Sequence, residues 1–160
     1  LIRDGWLHTG DRFRQDADGF LYITGRIKDY FKTIQGKFVA PTPIEAQFAD
    51  NPYVEQQCLV GLGMNKTIMV AVVSETMRDA PRDVIEASVL ETVEQLNGVV
   101  EKHARMGGVI LTYEPWSIEN GVLTPTLKIK RDQISDRFGE EASAMAAESA
   151  ESKTLVTRWR

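Results

Sequence analysis

A carboxylate, Asp11, and a guanidinium, Arg26, are the first candidates for chemistry along the chain. Phe13 on one side, and Phe20, Leu21, Tyr22 and Ile23 on the other, flank the turn sequence Asp16-Ala17-Asp18-Gly19, so Arg12 to Thr24 reads as a hairpin. A hairpin brings its own ends together, which lets a carboxylate and a guanidinium fork converge on one ligand. Taken singly, a turn-capping role for Asp11 and a surface ion pair for Arg26 are the simpler readings. A second basic group, Lys128, Lys130 and Arg131, reads in isolation as a solvated face at a helix start. Cys58 lies in an apolar run and reads as a small buried hydrophobe, not a nucleophile. His8 has no base-and-nucleophile pair around it and reads as structural or substrate-adjacent. Two histidines and one cysteine supply no zinc-ligand cluster and no internal disulfide.

The elements that must position these residues follow from pattern. Ile27 to Val39 reads as a short strand, a turn at Gly36 and a second short strand. A helix follows, with Thr42 as N-cap, Pro43 in the first helical position, Glu45 completing a Thr-x-x-Glu capping box, and Asn51-Pro52 as its stop. Gln57 to Leu62 and Thr67 to Ser74 are β-rich and expected to pair antiparallel. Arg82 to Arg105 has helical periodicity through Ile85, Val89, Val93 and Leu96, with Asn97-Gly98 as a candidate break and Gly107-Gly108 as its stop. Val109 to Tyr113 reads as a buried strand, Trp116 as a packing anchor, and Lys128 to Phe138 as the start of the last helix. The stretch from Glu140 to Ser152 is only Glu, Ala, Ser and Met145, and reads as a frayed helix or flexible end without chemistry. Strands and helices without regular βαβ alternation predict an α+β fold.

Composition bounds the function classes. With 160 residues, 42% hydrophobic and 26% charged, the chain suits one ordinary domain with a core. A net charge of −4 argues against a nucleic-acid footprint, and no apolar run is long enough to span a bilayer. The single cysteine fits a reduced compartment, so a cytoplasmic location, or one peripheral to a membrane, is expected. The opening Leu-Ile-Arg-Asp-Gly-Trp has no initiator Met and is not a targeting segment, so a piece of a longer protein is expected.

Several segments gain weight as an ordered set. They are Asp4-Gly-Trp-Leu-His-Thr-Gly-Asp11, Asp18-Gly-Phe-Leu21, Gly25-Arg-Ile-Lys-Asp29, Lys32-Thr33, Gly36-Lys-Phe-Val-Ala-Pro41 with Pro43-Ile-Glu45, and Glu119 to Arg131. In that order and spacing they resemble the C-terminal portion of AMP-forming acyl-CoA synthetases, of the long-chain fatty acyl-CoA branch within the adenylate-forming enzymes. The resemblance runs from Asp4 to about Phe138.

That resemblance implies a set of roles. Asp11 takes the place of the aspartate that binds the ribose hydroxyls of ATP and of the acyl-adenylate, and Arg26 that of the arginine near the ribose and phosphates. Lys28, with Asp29 as the neighbouring alternative, matches the hinge between a large N-terminal domain and a small mobile lid. Residues 1–27 are then the last hairpin of the large domain, 28–139 the lid and 140–160 a low-complexity or flexible tail. The Gly36 loop corresponds to the segment lining the pantetheine tunnel, where glycine lets backbone approach a ligand closely; Gln35 replaces a second small residue common in relatives. Lys128 matches the catalytic lysine, with Lys130 as a rival, and the Ser-Gly pair that often precedes it is absent. The implied chemistry is carboxylate plus ATP to acyl-AMP and pyrophosphate, then acyl transfer to CoA, with Mg²⁺. The alternatives are an acyl-AMP ligase serving a carrier protein and a non-catalytic interaction module on the same fold.

Overall fold

A computed structural model describes residues 2–160. Its elements in order are β1 (Ile2–Arg3), β2 (Trp6–Leu7), β3 (Asp11–Gln15), β4 (Leu21–Arg26), β5 (Phe31–Lys32), β6 (Phe38–Val39), α1 (Pro41–Phe48), β7 (Val54–Val60), β8 (Thr67–Val73), α2 (Arg82–Val99), β9 (Met106–Thr112), α3 (Arg131–Ser152) and β10 (Val156–Trp159). Short helical turns occupy Ile27–Asp29, Glu75–Met77 and Lys102–Ala104.

The centre is a mixed four-stranded sheet ordered β10-β9-β8-β7. β7 runs antiparallel to β8, while β9 runs parallel to both β8 and β10. Every residue of β8 and β9 is buried, as strands covered on both faces must be. Side chains alternate between two cores. Leu59, Met69, Ala71, Val73, Val109 and Leu111 pack under α1 and α2; Cys58, Val60, Ile68, Val70, Val72 and Ile110 pack under α3 with Trp116, Val122 and Leu123. The α+β expectation and the anchoring role of Trp116 match this arrangement.

Three sequence expectations need correction. Residues 140–160 are not a flexible tail: Ala142, Met145, Ala146 and Ser149 bury the second half of α3, and β10 completes the sheet. Gly107-Gly108 does not stop a helix but lies inside β9. A Cβ on Gly108 would stand 1.9 Å from the Val156 carbonyl oxygen, and one on Gly107 2.9 Å from Ser149 Cβ, so only hydrogen lets β10 and α3 come this close. Asn97-Gly98 does not break α2, where Asn97 instead bonds both backbone groups of Met106.

The capping-box reading of Glu45 also fails. α1 begins at Pro41 without a side-chain cap. The Glu45 carboxylate is drawn instead to the sheet, where it accepts the Leu59 amide at 2.7 Å, and Thr42 Oγ1 lies against Gly25 of β4.

Candidate functional site

The hairpin expected from the Asp16–Gly19 turn is β3 and β4, with Asp11 directly opposite Arg26. Asp16 Oδ1 accepts the Asp18 and Phe20 amides and so closes the turn. At the far end Arg26 Nε lies 3.3 Å from Asp11 Oδ1. Asp11 is the more enclosed partner and Arg26 the more exposed. Gly10, at φ 80°, lets the chain turn into β3; its carbonyl accepts the Ile27 amide at 2.9 Å. The Asp11 amide donates to Thr9 Oγ1. The structure therefore brings together the carboxylate and guanidinium expected from the sequence and holds them by backbone bonds on both sides.

Gly36 sits at φ 74° in the turn joining β5 to β6, with its amide bonded to the Thr33 carbonyl. No side chain or backbone atom lies within 4 Å of where its Cβ would be, so the turn is open on that side. His103 Nε2 lies 3.0 Å from the Phe38 carbonyl oxygen and ties this hairpin to the approach to β9. Beside it a cavity of about 610 Å³ is lined by His103 and ringed by Lys37, Lys66, Lys102 and Arg105, a concentration of positive charge in an acidic chain.

Lys128 stands exposed on a tight loop. The Thr124 amide donates to the Lys128 carbonyl at 2.8 Å, the Lys128 amide returns to Thr124 Oγ1 at 3.0 Å, and Leu127 takes a positive φ of 58°. Leu123 and Ile129 bridge the base of this loop. Lys130 caps α3, with its amide on the Val122 carbonyl. Among the described residues no hydrogen bond or ion pair joins Lys128 or Lys130 to Asp11 or Arg26.

Arg131, read from sequence only as part of a basic face, proves to be a hub. Its Nη1 donates to Glu45 Oε1 at 2.7 Å and its Nη2 to Glu45 Oε2, while its Nε lies 3.9 Å from Asp29 Oδ2. Burial alone would lower its pKa, but the bonds and charge of Glu45 outweigh that and raise it. The available signal was a cation in the first turn of a helix, where the helix dipole opposes it and a partner is needed. Cys58 is buried beside this hub. Burial, opposed in part by Arg131, pushes its thiol up to about 12, which agrees with an inert, structural cysteine.

Lys28 is exposed, and the half-buried Asp29 follows it in the turn after β4. Both line a cavity of about 340 Å³ together with Lys32, Phe38 and Arg131. Large apolar side chains stay uncovered on the N-terminal hairpins, with Trp6 75%, Phe20 66% and Ile23 69% exposed. No group of three or more His, Cys, Asp or Glu suited to a metal ion occurs among the described residues. None of their helices is long and apolar enough to cross a membrane.

Comparison with known proteins adds to this geometry. The family model of the AMP-binding enzyme C-terminal domain matches residues 28–150. The peroxisomal long chain acyl-CoA synthetase 7 of Arabidopsis thaliana is 35% identical over 99% of this chain and 25% of its own length. Fatty acyl-CoA synthetase B of Dictyostelium discoideum is 32% identical over 88% of this chain and 24% of its own. The chain thus spans about a quarter of the length of the curated relatives it matches. Among solved structures, the adenylation domain of a carboxylate reductase from Mycobacterium chelonae superposes with a TM-score of 0.76 at 24% identity, over 92% of this chain and 24% of that one.

Proposed function

This chain belongs to the family of AMP-binding enzyme C-terminal domains, and from that membership we propose that it forms the mobile lid of an ATP-dependent, AMP-forming fatty acyl-CoA synthetase. Residues 1–27 are the last hairpin of the adenylation domain, Lys28 is the pivot, and the lid runs from there through β10. The observation that carries the reading is the Asp11–Arg26 pair, fixed at the open end of one hairpin within a chain that long-chain acyl-CoA synthetases match from end to end. The uncovered Trp6, Phe20 and Ile23 support a large partner domain over the hairpins.

In the first half-reaction a fatty acid carboxylate attacks the α-phosphate of ATP, forming acyl-AMP and releasing pyrophosphate. Asp11 accepts the two ribose hydroxyl protons as hydrogen bonds, and Arg26 holds it in line while donating to phosphate oxygen. Lys128 neutralises the charge that develops at the α-phosphate, and Lys130 is the rival for this role. An exposed lysine on a short, internally bonded loop suits a group that must leave the site with the lid. Mg²⁺ bound with ATP would neutralise phosphate charge.

In the second half-reaction the thiol of CoA loses its proton to solvent, its sulfur attacks the acyl carbonyl carbon to form the thioester, and AMP leaves as the acyl–phosphate bond breaks. The open turn at Gly36 lines the passage for the thiol arm. The positive ring of Lys37, Lys66, Lys102 and Arg105 supports an acceptor that carries phosphates.

The reading is tested on the full-length protein with ATP, Mg²⁺ and a long-chain fatty acid. Pyrophosphate release followed by a thioester on added CoA is expected. Acyl-AMP that passes only to a carrier protein would replace CoA with that acceptor. Absence of acyl-AMP would leave a non-catalytic module.

A further inference from the structure

A hydrogen bond and an ion pair flank the proposed pivot, and they reach in opposite directions. The Ile27 amide donates to the Gly10 carbonyl at 2.9 Å and so belongs to the hairpin. Two residues later, the Asp29 carboxylate lies 3.9 Å from Arg131 Nε and so belongs to the lid. Between them the Lys28 side chain is exposed, with no hydrogen bond or ion pair among the described residues. Arg131 is itself tied to the lid, because both of its terminal nitrogens bond Glu45, whose Oε1 also accepts the Leu59 amide of β7. Glu45 engages the two terminal nitrogens of the guanidinium, and the Nε edge is the side nearest Asp29, at ion-pair distance.

From this geometry we infer that Arg131 is a positioning residue that anchors Asp29 to the body of the lid and confines rotation to the single residue Lys28. The inference rests on the lid reading above and deepens it. Arg131 lies three residues after Lys128, where α3 begins just beyond the same loop. One side chain therefore fixes where the lysine segment stands relative to the pivot. Without the anchor, rotation spreads into Asp29 and Tyr30, and the lysine loop loses its fixed angle to Asp11. An Arg131 that served stability alone would need only Glu45, and removing the Asp29 charge would then change nothing at the hinge.

Two measurements decide this. In the 160-residue chain, hydrogen exchange of the amides from Lys28 to Phe31 should quicken about three- to fivefold in Asp29→Asn and in Arg131→Lys, the scale of one partly exposed ion pair. Exchange in β8 should stay unchanged in Asp29→Asn, which leaves the Glu45 pair intact. In the full-length protein, Asp29→Asn should change the ratio of adenylation to acyl transfer by a similar factor, with an unchanged thermal midpoint. Wild-type exchange at the hinge in Asp29→Asn overturns the anchor, as does an equal loss in both half-reactions. A full-length protein that forms no acyl-AMP refutes the lid reading instead, while the exchange result still decides the anchor.

Discussion

Arg26 Nε stands 3.3 Å from Asp11 Oδ1 across the open end of the β3–β4 hairpin, in register and braced by the Ile27–Gly10 backbone bond. The pair is built for an oxygen-rich ligand: acceptors on Asp11 for hydroxyls, donors on Arg26 for phosphate. In the full-length protein Asp11→Ala should lower kcat/KM for ATP about 100-fold, since two charge-assisted hydrogen bonds are lost at roughly 1.5 kcal/mol each. Steady-state kinetics with varied ATP checks this, and a change of less than about threefold removes Asp11 from the nucleotide site.

The positive ring around the Gly36 side of the lid leads to a separate expectation. Lys66→Glu and Arg105→Glu should each raise KM for CoA about fivefold and leave pyrophosphate release unchanged, because exposed charges act mainly on encounter and weak binding. Raising ionic strength should shrink the difference between variants and wild type. An effect confined to the ATP step would move this surface out of the acceptor's path.

Gly108 and the last 21 residues give a test that needs no activity assay. Gly108→Ala forces a Cβ to within 1.9 Å of the Val156 carbonyl, so β10 must separate from β9, at a cost of about 3 kcal/mol. Truncation after Gly139 removes Ala142, Met145 and Ala146 from the core and uncovers Ile110 and Val70. Thermal denaturation should show a sharply lowered midpoint for the first and no cooperative transition for the second. A truncated chain as stable as the whole would restore the flexible-tail reading.

Cys58 couples stability to alkaline pH. Its folded pKa is raised, to about 12, above the ordinary thiol value of 9.0, so the folded state keeps a proton that the unfolded state releases. The protection is fully present below pH 9 and is lost as pH rises from 9 toward 12. Denaturant titrations at pH 8 and pH 10 should therefore show wild type losing about 1 kcal/mol more than Cys58→Ala. Equal losses in the two proteins would mean that the thiol titrates normally.

Sequence legibility follows physical range. The Ile68 to Val73 stretch of β8 and Val109 to Leu111 of β9 announce themselves as unbroken apolar runs, and the Asp11–Arg26 pair follows from a turn four residues long. The second half of α3 does not announce itself, because most of its buried positions are Ala and Ser. They are small for the same reason that Gly107 and Gly108 are glycines, namely the close approach of α3, β9 and β10. The role of Glu45 is hidden because Thr-x-x-Glu is a local signal, whereas its partner, Arg131, is 86 residues away. Arg131 consequently showed only as surface charge.

As part of a mobile lid, Lys128 acts in one half-reaction and not in the other. The most direct test is the Lys128→Ala variant of the full-length protein, assayed separately for pyrophosphate release from ATP and fatty acid and for thioester formation from supplied acyl-AMP and CoA. Adenylation should fall about 100- to 1000-fold, the scale of one lost transition-state contact, while acyl transfer should change less than about threefold. Equal losses in the two steps, or the same pattern in Lys130→Ala with Lys128→Ala unaffected, would contradict it.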